Sequence, residues 1–164
     1  MFKSRLKYTF IAIAIIALLQ LFINMYLSYQ FKNNPLSESL QNRINEKEKE
    51  LQYLAFKYYK IKTKIPLFIT GKMNDKLFGL TSLEKNGNLK IYLNKNRMQE
   101  NIDYMIDDVF AHEYAHAVMF LRKLYTKKDD GHSLEWQKTC LNLGGQKCNR
   151  FVKHQDIVFE KMKF

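Results

Sequence analysis

The hydrophobic positions divide the chain into one long apolar run and a series of shorter periodic segments. From Phe10 to Leu27 the run carries no charge, and only Gln20 and Asn24 are strongly polar. As a helix, this run would span about 27 Å, which is close to the hydrocarbon thickness of a bilayer. A helix that is apolar on every side is typical of a membrane span and not of the surface helix of a small domain. The run therefore predicts a transmembrane helix near the N-terminus.

The charges around this run predict its orientation. Lys3, Arg5 and Lys7 precede it, whereas only Lys32 follows closely. The positive-inside rule then places the N-terminus in the cytoplasm and the rest of the chain outside. A cleaved signal peptide is the alternative, but the residues after the run contain no small-x-small cleavage pattern, so an uncleaved signal anchor is preferred.

These patterns predict a single-pass cell-membrane protein in three parts. Residues 1–28 form a cytoplasmic stub and the anchor, residues 29–36 form a linker, and residues 37–164 form one extracytoplasmic domain. A chain of 164 residues has no room for a second substantial core.

The shorter segments predict a domain with both helices and strands. In order, they are a helix that Ser37 caps and that runs to about Lys60, a strand over Leu67–Thr70, a hairpin of Leu77–Glu84 and Leu89–Leu93 around Asn86-Gly87, a helix over Ile102–Leu124 that Asn101 caps, and a helix that Ser133 opens and Gly144-Gly145 stops. We expect a tight primed turn at Asn86-Gly87, because this dipeptide tolerates positive φ angles. The stretch from residue 150 to 164 has no periodicity that predicts an element.

The helix predicted over Ile102–Leu124 contains the sequence His-Glu-x-x-His. His112 and His116 lie one turn apart and so share a face of that helix. Two imidazoles at this spacing can bind one metal ion, and zinc accepts imidazole nitrogen while keeping a position for water in catalytic sites. Glu113 is rotated by about 100° from the first histidine. It is therefore expected to lie beside the metal and to act as a general base on water. The alternative is a buried helix that happens to carry two histidines.

A third ligand is expected from a later segment, since catalytic zinc sites use three protein ligands. His132 and Glu135 follow His116 by 16 and 19 residues, and Gly131 permits a sharp turn before His132. Asp129 and Asp130 could also reach the metal, but they are more typical of turn and cap residues. A metzincin is excluded, because Met119 and Arg122 occupy the positions of its glycine and third histidine.

Composition changes this picture only slightly. The formal net charge of +11 is spread without a block of like charges, so a solvated basic surface is preferred over a nucleic-acid-binding groove. Cys140 and Cys148 are the only cysteines. Two cysteines are too few for a zinc ribbon, and outside the cytoplasm they could form a disulfide; paired and free thiols both remain open.

Several motifs of the chain resemble the SprT-like zinc metallopeptidase family in content and order. They are Ile65-Pro66, Gly79, Ile91-Tyr92-Leu93-Asn94, His112-Glu113-Tyr114-Ala115-His116 and Gly131-His132-Ser133-Leu134-Glu135-Trp136. Ser133 departs from the glycine that often follows the third histidine in this family. The best-known members act inside the cell on proteins bound to DNA, and many carry a C-terminal zinc ribbon that is missing here.

The resemblance implies an α+β fold, a small zincin-like domain whose short antiparallel sheet or hairpin packs on the His-Glu-x-x-His helix, preceded by the transmembrane helix. It implies one catalytic Zn²⁺ bound by His112, His116 and His132, with Glu113 as the catalytic acid and base in peptide-bond hydrolysis. Glu135 would then hydrogen-bond a ligand imidazole or the backbone. We expect an extended protein or peptide substrate to pair with the strand Leu89–Leu93. Candidates for oxyanion stabilisation are Tyr92, Tyr104, Tyr114 and Arg122.

Two other functions are compatible with the same motifs. The first is a DNA-associated SprT-type protease that faces the cytoplasm. The second is a non-catalytic, zinc-stabilised component of a membrane assembly.

Overall fold

The computed structural model describes residues 2–126 and 131–149, with side chains from residue 6 onward. The tail after residue 149 and the acidic pair Asp129 and Asp130 lie outside this range. The chain divides into two compact units, with the boundary between Leu36 and Ser37.

The first unit contains one long helix, α1, which runs from Phe2 to Asn33. It extends past both ends of the predicted apolar run. Its segment Leu6–Asn33 is long and apolar enough to cross a membrane, a property that signal sequences share. Gln20 and Asn24 lie on one face of α1, because Gln20 Nε2 donates to Asn24 Oδ1 at 3.2 Å.

The second unit begins with the predicted amphipathic helix α2, Glu38–Tyr59. Ser37 caps it by accepting a hydrogen bond from the Leu40 backbone N–H at 3.3 Å, as predicted. Leu40, Ile44 and Leu51 are buried along one side of α2. The helix ends where Lys60 adopts a left-handed conformation at φ 58°.

Three strands form one mixed sheet. They are β1 (Leu67–Thr70), β2 (Gly79–Leu83) and β3 (Leu89–Asn94). The predicted hairpin is confirmed, since β2 pairs with β3 in antiparallel register from Leu83 opposite Leu89 to Gly79 opposite Leu93. β1 adds to the other side of β3 in parallel, a pairing that the sequence did not predict.

The position of β3 corrects the expectation that this strand pairs with a substrate. The strand order is β1-β3-β2, so β3 is bonded on both sides and cannot pair with a substrate. In the described sheet, the edge strands are β1 and β2.

The prediction of a primed turn in the hairpin is also wrong. Only Gly87 has a positive φ in the hairpin loop, and its N–H donates to Glu84 O at 2.9 Å. The Glu84 N–H donates to Asn88 O, so the loop consists of residues 85–87, and only its last residue, Gly87, has the left-handed conformation.

A continuous helical stretch follows the sheet after the short helix α3, Lys95–Met98. It starts as α4 (Ile102–Tyr104), widens into a π-helical segment (Met105–Val109), and continues as α5 (Phe110–Leu121). Asn101 caps it through its side-chain oxygen and the Tyr104 N–H at 2.9 Å, as predicted. The π-helical segment was not predicted.

Helix α5 is the central element of the domain. Each of its residues from Phe110 to Met119 is buried. It packs against β2 and β3 and also against α6, which runs from Leu134 to Asn142. The short sheet therefore packs on the His-Glu-x-x-His helix, as predicted, and the predicted α+β class is confirmed.

Helix α6 has the predicted ends. Ser133 accepts a hydrogen bond from the Trp136 N–H at 3.3 Å, and Gly144 takes a positive φ of 85° after the last turn. Cys140 and Cys148 form a disulfide. This bond fastens the segment after α6 to the helix itself.

Candidate metal centre

Three histidines from two segments converge at one point. His112 and His116 extend from successive turns of α5, and their Nε2 atoms lie 3.3 Å apart. His132, immediately before the cap of α6, brings its Nε2 atom to 3.1 Å from that of His116 and 3.2 Å from that of His112. The structure thus brings together the three residues that the sequence predicted as ligands, and this cluster could hold a metal ion.

The chemistry of this triangle fits a single cation. Each neutral imidazole offers its Nε2 either as a donor or as an acceptor, so three such atoms in mutual contact cannot all be satisfied by hydrogen bonds. Tetrahedral zinc with Zn–N distances of about 2.0–2.1 Å separates its ligand nitrogens by about 3.4 Å. The separations of 3.1–3.3 Å seen here are close to that value.

The environment keeps two of these imidazoles neutral. Burial lowers the pKa of His112 to about 3, and the charge of His132 adds to the effect. Burial likewise lowers the pKa of His116 to about 2, assisted by His112 and His132. The neutral form is the one that binds a metal ion, so both side chains are ready as ligands at neutral pH.

Gly131 permits the approach of the third histidine. It has a φ of 80°, and a Cβ at this position would lie 2.5 Å from Tyr125 Cε2 and 3.2 Å from His116 Nδ1. No larger residue fits this turn without displacing its neighbours. The role expected for Gly131 as the turn before His132 is consistent with this geometry.

Trp136 forms an aromatic wall for the cluster. Its ring centroid lies 4.7 Å from that of His112, 5.1 Å from that of His116 and 4.5 Å from that of His132. The indole is 1% exposed. The start of α6 and the residue before its cap thus supply the side chain that packs against all three histidines and the third histidine itself. Sequence reasoning treated Trp136 only as part of a motif.

Glu113 lies in a buried position against strand β2. Its side-chain oxygen Oε2 is 2.8 Å from Thr81 Oγ1, and its backbone oxygen is 2.7 Å from the same atom. Burial raises the pKa of Glu113 to about 7, and the hydrogen bonding with Thr81 opposes the shift. Sequence reasoning missed Thr81, because nothing in a five-residue strand marks one threonine as the neighbour of a helix residue.

The expectation for Glu135 is wrong. Its Oε1 accepts a hydrogen bond from Arg122 Nη1 at 3.0 Å, so its carboxylate ties α6 to the end of α5. It does not belong to the group of side chains that could hold a metal ion. Glu135 was predicted to hydrogen-bond a ligand imidazole or the backbone, whereas the hydrogen bond described for its carboxylate is with Arg122.

The four oxyanion candidates make packing contacts in this structure. Arg122 also lies over the Tyr59 ring at 4.7 Å, and Tyr92 stacks on Phe68 with ring centroids 5.4 Å apart. Tyr104 and Tyr114 are buried, with 7% and 1% exposure. Burial raises the pKa of Tyr114 to about 12, which Glu48 reinforces.

Three imidazoles meet at one point, a buried carboxylate lies on the helix that carries two of them, and this histidine cluster could hold a metal ion. The SprT-like family model matches residues 37–155, which is more than half of the chain, so this protein belongs to the SprT-like family. The resemblance found in the sequence is thereby confirmed, and the domain is metallopeptidase-like. No curated protein and no solved structure matches the chain.

Proposed function

We propose that this protein is a zinc-dependent metallopeptidase that hydrolyses peptide bonds of a protein substrate while α1 anchors it in the cell membrane. The observation that supports this most is the triangle of Nε2 atoms from His112, His116 and His132, with separations of 3.1–3.3 Å. These residues would hold the ion. A bound zinc ion would supply Lewis-acid polarisation of the scissile carbonyl and a more acidic water.

Glu113 carries the proton in this proposal. Its carboxylate takes a proton from the attacking water and later returns it to the leaving amine nitrogen. Because Oε2 is within hydrogen-bonding distance of Thr81, Oε1 is the oxygen left for this exchange. A pKa raised to about 7 by burial suits a group that must both accept and release a proton near neutral pH.

Strand β2 is the proposed binding edge for the substrate. In the described sheet it pairs only with β3, so its other edge has backbone groups available for an extended peptide. Leu80 and Leu83 are 45% and 50% exposed on this strand. They are suited to contact apolar side chains of such a peptide. A protein substrate is preferred over nucleic acid as the partner.

The proposed location is extracytoplasmic. The charge asymmetry before residue 8 supports a cytoplasmic N-terminus. The disulfide between Cys140 and Cys148 supports an extracytoplasmic domain, because such bonds persist in oxidising compartments and are rare in the cytosol.

The experiment that tests the function compares cleaved proteins in cells that carry the parent protein or Glu113→Gln. New protein termini that appear only with the parent would identify substrates of a hydrolase. Identical termini in both, with zinc bound to the purified protein, would instead indicate the non-catalytic membrane component. The DNA-associated alternative requires salt-sensitive DNA binding and a domain that faces the cytoplasm.

A further inference from the structure

We propose that Thr81 is a positioning residue that holds the Glu113 carboxylate in place for proton transfer, an inference that rests on the proposed function. The hydroxyl of Thr81 is 2.8 Å from Glu113 Oε2 and 2.7 Å from the Glu113 backbone oxygen. One side chain therefore contacts both the functional group and the helix backbone that carries it. Such a double contact fixes the side chain relative to α5, which also carries His112 and His116.

The strand that supplies Thr81 is well supported. Thr81 lies opposite Ile91 in the antiparallel pairing of β2 with the central strand β3. Ile91 is 1% exposed, so the partner strand is anchored in the core at this register. The Thr81 side chain is thus held by the sheet and not by a mobile loop.

Gly79 encloses the carboxylate from the same side. Residues two apart on a strand face the same way, so Gly79 and Thr81 present one face of β2 to α5. An added Cβ at Gly79 would lie 2.6 Å from Glu113 Cγ and 2.9 Å from its Oε1. The glycine leaves the space that the side chain occupies, and the threonine hydroxyl supplies a side-chain hydrogen bond to it, beside a hydrogen bond from the Thr81 backbone.

A hydroxyl suits both forms that Glu113 adopts in the proposed reaction. While Glu113 is ionised, the Thr81 O–H donates to Oε2. Once Oε1 has taken the proton from water, Oε2 is the carbonyl oxygen of the acid and can still accept from the Thr81 O–H. The contact with Oε2 is therefore kept in both forms, so the carboxylate need not move between accepting and returning the proton. Valine can provide neither contact, whereas serine can provide both.

The test uses the full chain in detergent, loaded with zinc, and measures cleavage of fluorescein-labelled casein. Thr81→Val is expected to lower kcat by about 100-fold with KM and zinc content unchanged, the order of loss found for a misplaced catalytic group. Thr81→Ser is expected to restore most of the parent kcat. The matched control is Thr70→Val, the same change in β1, where the hydroxyl accepts only from the Lys72 N–H at 3.2 Å among the contacts described. Thr70→Val should keep the parent kcat.

A second readout decides the proposal without any activity. In crystal structures of the zinc-loaded variants, the Glu113 carboxylate should leave its position in Thr81→Val and keep it in Thr81→Ser. Thr81→Ala provides the same comparison if Thr81→Val does not fold.

The outcomes separate this inference from the proposed function. If the parent cleaves casein no faster than Glu113→Gln, the peptidase function lacks support, and the crystal structures still test the role of Thr81. The proposal for Thr81 is overturned if Thr81→Val retains the parent kcat. It is also overturned if the Glu113 carboxylate stays in place without the hydroxyl.

Discussion

Gly79 leaves the space that the Glu113 side chain fills. A Cβ built on Gly79 would lie 2.6 Å from Glu113 Cγ, 2.9 Å from Oε1 and 3.0 Å from Cδ. The first two contacts are shorter than those that a methyl group makes, and the third is at the limit. The atoms that it would meet are the movable part of a side chain, so the chain can respond by displacing the carboxylate and leaving the backbone in place.

We therefore expect Gly79→Ala to damage the reaction more than the fold. The variant should bind zinc stoichiometrically and lose about 1–3 kcal/mol of unfolding free energy, the usual cost of overpacking. Its rate of casein hydrolysis should fall at least about 10-fold, because the carboxylate is moved. Urea unfolding, metal analysis and initial rates measure the three quantities. Gly71→Ala is the matched control, since its added Cβ meets only the Asn96 side chain, at 3.2 Å. Equal effects of the two changes would contradict a special role for Gly79.

Local spacing explains which parts of the site were predictable. His112 and His116 were found because two residues four apart on a helix must share a face, whatever the rest of the fold does. Predicting that His132 joins them needed two more signals: the ability of Gly131 to form a sharp turn, and the resemblance to the SprT-like family. Each of these signals is contained within a few residues of sequence.

Thr81 and the order of the sheet could not be predicted in the same way. The contact between Thr81 and Glu113 joins residues 32 apart, and it exists only because β2 packs on α5. The parallel pairing of β1 with β3 is also a tertiary property, and without it the predicted hairpin strand Leu89–Leu93 was expected to be free to bind a peptide. Glu135 was misassigned for a related reason: its partner Arg122 is 13 residues away, beyond any helical repeat.

The structure predicts different outcomes for the two residues that were rival ligands. His132→Ala should abolish tight zinc binding, because it removes one corner of the Nε2 triangle. Glu135→Ala should leave zinc affinity unchanged and cost at most about 1 kcal/mol of stability, since its partly exposed carboxylate pairs with Arg122. A competition titration with a chromogenic chelator gives both affinities. If Glu135→Ala were the variant that cannot hold zinc, the ligand assignment would be wrong.

The disulfide should contribute measurably to the stability of the domain. Cys140 and Cys148 are 1% and 5% exposed, and they close a loop with a sequence separation of 8. Loop-closure entropy for a loop of this size corresponds to about 2–3 kcal/mol. Replacing both cysteines by serine should therefore lower the unfolding free energy by about this amount in urea. Parent protein treated with a reductant serves as the control and should lose stability to a similar extent. Unchanged stability after reduction would show that the bond is dispensable.

The last prediction concerns the side of the membrane on which the domain lies. Lys3, Arg5 and Lys7 precede the apolar run and only Lys32 follows closely, so the N-terminus should remain in the cytoplasm. Alkaline phosphatase fused after residue 164 should then be active, because it requires export, whereas a cytoplasmic fluorescent reporter at the same place should be dark. Replacing the three N-terminal cations by glutamine should weaken this preference. Protease added to spheroplasts should digest the domain. Protection from the protease would place the domain in the cytoplasm, where the environment does not favour the disulfide. That result would favour the DNA-associated alternative.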